Sequence, residues 1–370
     1  MNRLFLVFLI LAMFLLTSCG YKDIDKRAFV LTIGVDEGES RDKKYKVLLK
    51  IVIPASDTKA GKSEFIVSEH ESNSITDAVR MIKTKVDKEL DFSHAKVIIF
   101  NEAVLHEDLD TLLDWFIRRR DIQKVAWVGI GKPSAEEILK LDRKVEMMPS
   151  NSLFLSFGHT GTESVYIVSE YLFDLRKRIT EKGLDPILPI LEMKDNKYFE
   201  INKAAVFSNE GLKATLNPEE TKILNILLNR ANKVDVNVKQ SGDEDQDLFF
   251  IAVDESNTKF EIQQDPNGLP RVKVTVSMEG ILEEVLIDLN KSSLEESKEM
   301  AENQVKEKVL KLLLKLQKEE VDPIGFGLRY RATHYNKDDW EQWVSMYPKV
   351  EFDVKVEIML QGTGLLRPDM

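Results

Sequence analysis

Lys96-Val97-Ile98-Ile99-Phe100 decides how this chain folds. It is a short apolar run rich in β-branched residues, with the length and composition of a central strand. The sequence on either side supplies the pattern. Leu105 to Arg119 places Leu109, Leu112, Leu113 and Phe116 at helical spacing, and Val125 to Ile130 is another strand. Ser134-x-x-Glu137 then caps a short helix ending near Leu141. Alternation of strand and helix is the rhythm of an α/β unit. Upstream, Ala28 to Val35 reads as a buried strand and Asp36 to Ser40 as a turn. Tyr45 to Ile53 returns, Pro54 to Gly61 breaks the run, and Glu64 to Glu69 is a third strand. Ser74 with Asp77 opens a helix continued by Val79, Ile82 and Val86. A hairpin ahead of the alternating units predicts a mixed sheet.

Downstream, Lys144 to Gly161 is loop-rich. Glu163 to Arg178 reads as an amphipathic helix stopped near Gly183, and Pro186 and Pro189 mark a connection. Tyr198 to Phe207 is a strand turning at Ser208–Gly211. Asn217-Pro218-Glu219-Glu220 starts a helix with a cap, an N1 proline and first-turn acids. Strands are expected at 234–239, 248–253, 258–263 and 271–278. Ser292 and Ser293, followed by Glu295 and Glu296, cap the longest helix, which runs to about Lys318 and ends before Asp322-Pro323. An aromatic-rich segment from Phe326 to Tyr347 leads to a closing strand at Val350–Leu360. The expectation is a multi-domain α+β fold of mixed and antiparallel sheets packed with helices. Its parts are an N-terminal α/β domain (28–195), a β-rich middle (196–290) and a C-terminal domain with the long helix (291–370).

The N-terminus has a separate meaning. Arg3 precedes an apolar run from Leu4 to Leu16, and Leu16-Thr17-Ser18-Cys19 follows. A charged start, a short apolar stretch and small residues before a processing point are the layout of an export signal. The run is short of the about 20 residues a membrane-crossing helix needs. Leu-Thr-Ser-Cys matches the bacterial lipobox, in which the cysteine thiol takes a thioether-linked diacylglycerol. Residues 1–18 are therefore expected to be a signal peptide and Cys19 a lipidated first residue, with 19–27 as a membrane-proximal tether. Cys19 is the single cysteine, so no internal disulfide can form.

Composition narrows the function. Hydrophobic residues make up 43% of the chain and charged residues 31%, enough for real cores and too structured for long disorder. Lys and Arg total 52 against 63 acids, and loss of Arg3 with the signal takes the formal charge from −11 to −12. Nucleic acid is excluded as an expected partner, since phosphate affinity comes from Lys and Arg.

A search for chemistry finds no catalytic constellation. His70, His94, His106, His159 and His334 are scattered and form no zinc helix. Gly61-Lys62-Ser63 lacks the earlier glycine of a phosphate loop, with Ser56 in its place. Gly129-Ile130-Gly131-Lys132-Pro133-Ser134 reads as a tight strand-to-helix turn, because Pro133 removes an amide a phosphate would need. Asp243, Asp245, Asp247 and Asp254 imitate a calcium loop, but Leu248 replaces its turn glycine. No metal, no cofactor and no enzyme activity are expected.

Several separated blocks resemble the Ger(x)C lipoproteins, the C subunits of spore germinant receptors. They are Asp23 to Asp36 after the lipobox, His94 to Phe100, Trp115 to Ile122, Ala204 to Phe207 with Leu216 to Leu228, and a C-terminal block. That last block comprises Asp322-Pro323-Ile324-Gly325-Phe326-Gly327, Trp340, Trp343, Tyr347-Pro348 and the strand leading to Gly362–Leu365. Departures are small: Val35 stands for an isoleucine, Gly20 precedes Tyr21, and no proline follows Asp121. The resemblance implies three α/β domains without enzyme activity. It also implies a protein held by lipid on the outer face of the inner spore membrane, acting with integral-membrane A and B subunits. Asp322, Pro323, Gly325, Phe326, Gly327, Trp340 and Trp343 become candidates for partner contact or local structure. The alternative is a substrate-binding lipoprotein of an uptake system, clamping a ligand between two lobes.

Overall fold

The structure is a computed structural model that describes residues 26–40, 42–53, 64–106, 109–141, 151–157, 164–195, 197–208, 210–231, 233–239, 247–264, 270–286, 294–334 and 338–361. β1 (Arg27–Ser40), β2 (Lys43–Ile53) and β3 (Glu64–Ser72) form an antiparallel meander. β1 does not turn at Asp36 as expected; it continues to Ser40. Its Asp36 carboxylate is buried and accepts from the Ala135 and Glu136 amides at 2.7 and 2.9 Å, so the acid serves a helix start instead of a turn.

α1 (Ile75–Lys83) begins on Ser74, whose hydroxyl accepts from the Asp77 amide at 3.1 Å. Then come β4 (Glu89–Asp91), β5 (Val97–Asn101), α2 (Leu109–Arg118), β6 (Trp127–Lys132), α3 (Ala135–Lys140) and α4 (Asn151–Phe157). The helix expected at 163–178 is confined to α5 (Leu172–Thr180). Before it, residues 164–167 form a turn, and the chain then reaches β6, with Val128 N–H donating to the Glu170 carbonyl at 2.9 Å and Trp127 bridged to Tyr171. The three-residue spacing of Val165, Val168 and Tyr171 is helical, and it is overridden here by the pairing with β6.

β7 (Ile187–Lys194) occupies the stretch expected to be a connection. Its ladder with β6 starts at Ile190, just past Pro189, so the proline interrupts no bond on that side. β8 (Tyr198–Ser208) and β9 (Gly211–Leu216) follow as a hairpin. α6 (Pro218–Leu227) carries the full capping box between Asn217 and Glu220.

These strands make one mixed sheet in the order β3-β2-β1-β5-β6-β7-β8-β9, with β4 beside β1. The β1, β5, β6 and β7 pairings are parallel, and the flanking pairs are antiparallel. α1, α2 and α5 cover one face, and α3 and α4 the other. Pairing passes without a break from β7 to β8, across residues 194–198.

The second sheet has the order β10-β11-β12-β13. β10 (Val234–Lys239), β11 (Asp247–Gln264) and β12 (Pro270–Val285) are antiparallel. The two strands expected at 248–253 and 258–263 are the single long β11. A register shift between Val253 and Glu255 leaves Asp254 as a bulge, and Glu255 to Asn257 stay paired with β12. α7 (Leu294–Lys318) crosses from β12 to β13 (Glu351–Leu360), which pairs parallel with β12. The aromatic-rich segment forms two helices, α8 (Phe326–Thr333) and α9 (Asp339–Met346). One core runs from β8 and β9 through α6 to the second sheet and α7.

α7 lays Val305, Val309, Leu312, Leu313 and Leu316 on that core, all essentially buried. Replacing Leu312 with alanine leaves a cavity there and is expected to cost about 2–5 kcal/mol. Chemical denaturation of the purified protein measures the loss.

Candidate functional site

The C-terminal sequence block folds into a buried joint. After α7 the chain turns at Glu320, which holds φ 55°, and Val321 to Gly327 are all buried. Asp322 organises the turn. Its two carboxylate oxygens accept from the Gly325 amide at 2.8 Å and the Gly327 amide at 2.6 Å. Gly325 adopts φ 93°, a left-handed conformation open to glycine, and caps the start of α8. Phe326 packs edge-on against Phe260 of β11 at 4.9 Å.

The other half of the joint precedes β7. Asp185 and Asp322 are cross-bonded: the Asp185 amide donates to the Asp322 carbonyl at 3.0 Å, and the Asp322 amide donates to Asp185 Oδ2 at 2.6 Å. Leu328 N–H donates to the Gly183 carbonyl at 2.9 Å. Here two glycine backbones touch. A Cβ on Gly183 would lie 2.5 Å from the Gly327 carbonyl carbon, and Gly183 holds φ 87°. A Cβ on Gly327 would lie 2.6 Å from Trp343 Nε1. Trp343 therefore lids the contact, with Tyr330 and Tyr347 beside it at 5.2 and 5.6 Å between ring centroids. The Tyr347 hydroxyl donates to the Val321 carbonyl at 2.8 Å.

Charge is buried next to this joint. Glu170 has no exposed surface and lies between two guanidinium groups, accepting from Arg178 Nε at 2.8 Å and Arg230 at 2.7 Å. Arg178 also donates to the carbonyls of Asp185 and Pro323, both at 2.9 Å. A single side chain thus links α5, the 164–171 segment, the β7 approach and the Asp322 turn. Burial pushes Arg178 below its ordinary value. Burial raises Asp185 to about 6, against the pull of the Asp322 amide and Arg178. Burial also raises Asp322 to about 7, against the pull of the two glycine amides, and the Asp185 charge adds to the rise.

Of the candidate residues, Asp322, Pro323, Gly325, Phe326, Gly327 and Trp343 come together here, all inside the protein. Trp340 is half-buried at the edge of the same core. Cys19 lies outside the described residues, as do Gly61-Lys62-Ser63, Asp243 and Asp245. Glu170, Arg178, Gly183, Asp185 and Arg230 belong to the joint without having been singled out. Their signal was weak, because Glu170 and Arg178 read as one amphipathic helix and Gly183 as its stop. Among the described residues no group of three acidic, histidine or cysteine side chains is placed to hold a metal.

Comparison with known proteins follows the same division. A family model for the spore germination protein N-terminal domain matches residues 20–193. A second, for the spore germination B3/GerAC-like C-terminal region, matches 202–364. The chain belongs to the Ger(x)C family of spore germination proteins. Spore germination protein KC of Bacillus subtilis is 26% identical, covering 97% of this chain and 95% of that protein. GerQC of Bacillus cereus is 20% identical over 97% and 98%. The crystal structure of the GerBC protein shares the fold, with a TM-score of 0.54 at 19% identity, covering 88% of this chain and 96% of that one. The two Ger(x)C models meet between 193 and 202, while the first sheet continues through that point. The joint at Gly183 and Gly327 ties the two matched regions together a second time.

Two expectations follow. Gly327→Ala forces a side chain into Trp343 and the Gly183 backbone, and is expected to lose about 2–4 kcal/mol; the melting temperature of the variant reads this. Asp185 and Asp322 keep their protons to higher pH folded than unfolded, so folding takes up protons between about pH 4 and 7. Their contribution is full below that interval and fades as pH rises through it. Glu192, held low by Lys194 and Lys203, acts in the opposite sense and only in acid. Urea unfolding at pH 5 and pH 8 should show Asp322→Asn losing less stability than the parent as pH rises.

Proposed function

We propose that the chain is a lipid-anchored, non-enzymatic subunit of a nutrient germinant receptor. It works in spore germination with integral-membrane A and B subunits, on the outer face of the inner spore membrane. One observation carries the reading: Ger(x)C models cover the chain from 20 to 364 with few gaps, immediately after a lipobox ending at Cys19. Relatives matched over nearly their full length are named as spore germination proteins, which extends the reading to the whole chain.

The physical reading is consistent with it. The residues that the C-terminal block brings together hold backbone amides and carbonyls and leave no nucleophile beside a base. Among the described residues no helix is long and apolar enough to cross a membrane. Attachment then falls to the lipid on Cys19, since one acidic body repelled by anionic headgroups needs an anchor. A ligand clamp of the uptake type would need lobes free to open. The shared sheet and the buried Glu170–Arg178–Asp322 joint favour a fixed body instead.

Cys19→Ala in a sporulating host is expected to release the protein from thioether lipid and to weaken nutrient germination at least tenfold. Fractionation, with germination scored nutrient by nutrient, provides the readout. A variant that still partitions with membranes and germinates normally would overturn the anchoring. Pull-down of the parent protein from spore membranes should bring two integral-membrane subunits with it.

A further inference from the structure

The parallel strands β1, β5 and β6 begin at one end of the first sheet, where the chain also enters at Lys26–Arg27. At this end Trp127 bridges antiparallel to Tyr171, residues 123–126 close a turn through the Ala126 N–H and the Gln123 carbonyl, and α5 begins at Leu172. Leu172 N–H donates to the Ala126 carbonyl at 2.9 Å and Phe173 N–H to the Lys124 carbonyl at 3.0 Å, beside the Trp127–Tyr171 bridge. Val125 lies in that turn and Phe173 in the first turn of α5, and the Phe173–Lys124 bond brings the two segments together. Trp127 stacks on Tyr171 at 3.8 Å, and Tyr171 on Phe173 at 5.5 Å. This rigid aromatic ladder starts in the core and ends in water, where Val125 is 54% and Phe173 46% exposed.

The same end is basic in an otherwise acidic chain. Residues 115–127 carry Arg118, Arg119, Arg120 and Lys124 against Asp121 alone. Arg118 pairs with Asp114 and Arg119 with Asp121. Lys124 is fixed by donating to the carbonyls of Phe116, Arg119 and Ile122 at 2.7–3.2 Å. Lys96 and Arg120 are exposed. Exposed apolar side chains framed by cations are the composition of a surface that rests in a lipid interface.

We propose that this end is a membrane-seating surface. Val125 and Phe173 enter the interfacial layer of an anionic bilayer, while the exposed Lys96 and Arg120 meet its phosphate headgroups. The proposal rests on the lipidation of Cys19 for its tether. The seven residues from Cys19 to Asp25 reach at most about 25 Å, so the entry end of the sheet is the end held against lipid. Each basic residue at an anionic surface raises affinity about fivefold. Two such residues with two inserted apolar side chains give binding that is weak but measurable at low salt and high lipid, and they orient a body already concentrated there by its anchor. Seating would fix which faces the integral-membrane partners meet.

The test is flotation of the mature chain from Cys19, its thiol blocked with N-ethylmaleimide. Vesicles are phosphatidylcholine alone or mixed equally with phosphatidylglycerol. The expected result is binding to the anionic vesicles only, lost at high salt. Lys96→Glu with Arg120→Glu should reduce it at least tenfold, as should Val125→Ser with Phe173→Ser at unchanged charge. Lys306→Glu with Lys311→Glu, the same charge change on exposed α7, should leave it intact. Matching melting curves exclude misfolding. Equal binding to both vesicle types, no binding to either, or an equal loss in the α7 control overturns the proposal, and no binding would turn the patch toward an acidic protein partner. Incorporation of labelled fatty acid at Cys19 is scored separately, so a failed anchor and a failed seating surface give different results.

Discussion

One carboxylate determines how the two parts of this protein meet. Asp322 is buried, receives the amides of Gly325 and Gly327, and is bonded through its own backbone to Asp185. Without it the αL turn at Gly325 has no internal partner, and α8 has no start. Without that start Gly327 would not lie against Gly183, where two backbones come closer than any side chain allows. Burying such a group costs more than a surface hydrogen bond returns, and the cost is met only because every oxygen is satisfied.

The neighbouring Arg178 extends the same logic. Its charge is shared with Glu170, and its remaining donors go to two carbonyls from distant parts of the chain. Removal of Glu170 leaves Arg178 buried without its counter-ion, which is the expensive case, whereas removal of Arg178 still leaves Glu170 its pair with Arg230. Such a pair specifies one geometry more than it adds stability. For the receptor subunit proposed above, that would suit a body whose surfaces stay in register with one another.

Much of the fold was legible. β1, β5 and β6 were marked by unbroken apolar runs because they are covered on both faces, and α1, α3 and α6 announced themselves by their caps. The failures have physical causes. Val165, Val168 and Tyr171 have helical spacing, but the chain turns at 165–166 and Glu170 and Tyr171 are drawn into pairing with β6. Pro189 suggested a connection, yet sits where β7 has no bond to lose on the β6 side. The polar Asp254–Asn257 stretch separated two expected strands, yet only Asp254 bulges out and the rest stays paired in the long β11–β12 ladder. The Asp322–Gly327 block was visible as a motif, but its partners were not. Gly183 and Asp185 are more than a hundred residues away, and periodicity carries no information about such contacts.

The basic, partly apolar entry end and the buried joint answer different needs, one toward lipid and one toward internal rigidity. The central claim is that Asp322–Gly327 is an internal joint and not an exposed docking motif. Amide hydrogen exchange on the folded protein tests it most directly. The amides of Asp185, Gly325, Gly327 and Leu328 should exchange only with global unfolding, with one common free energy of opening. Fast exchange at Gly325 and Gly327 while α7 stays protected would contradict it.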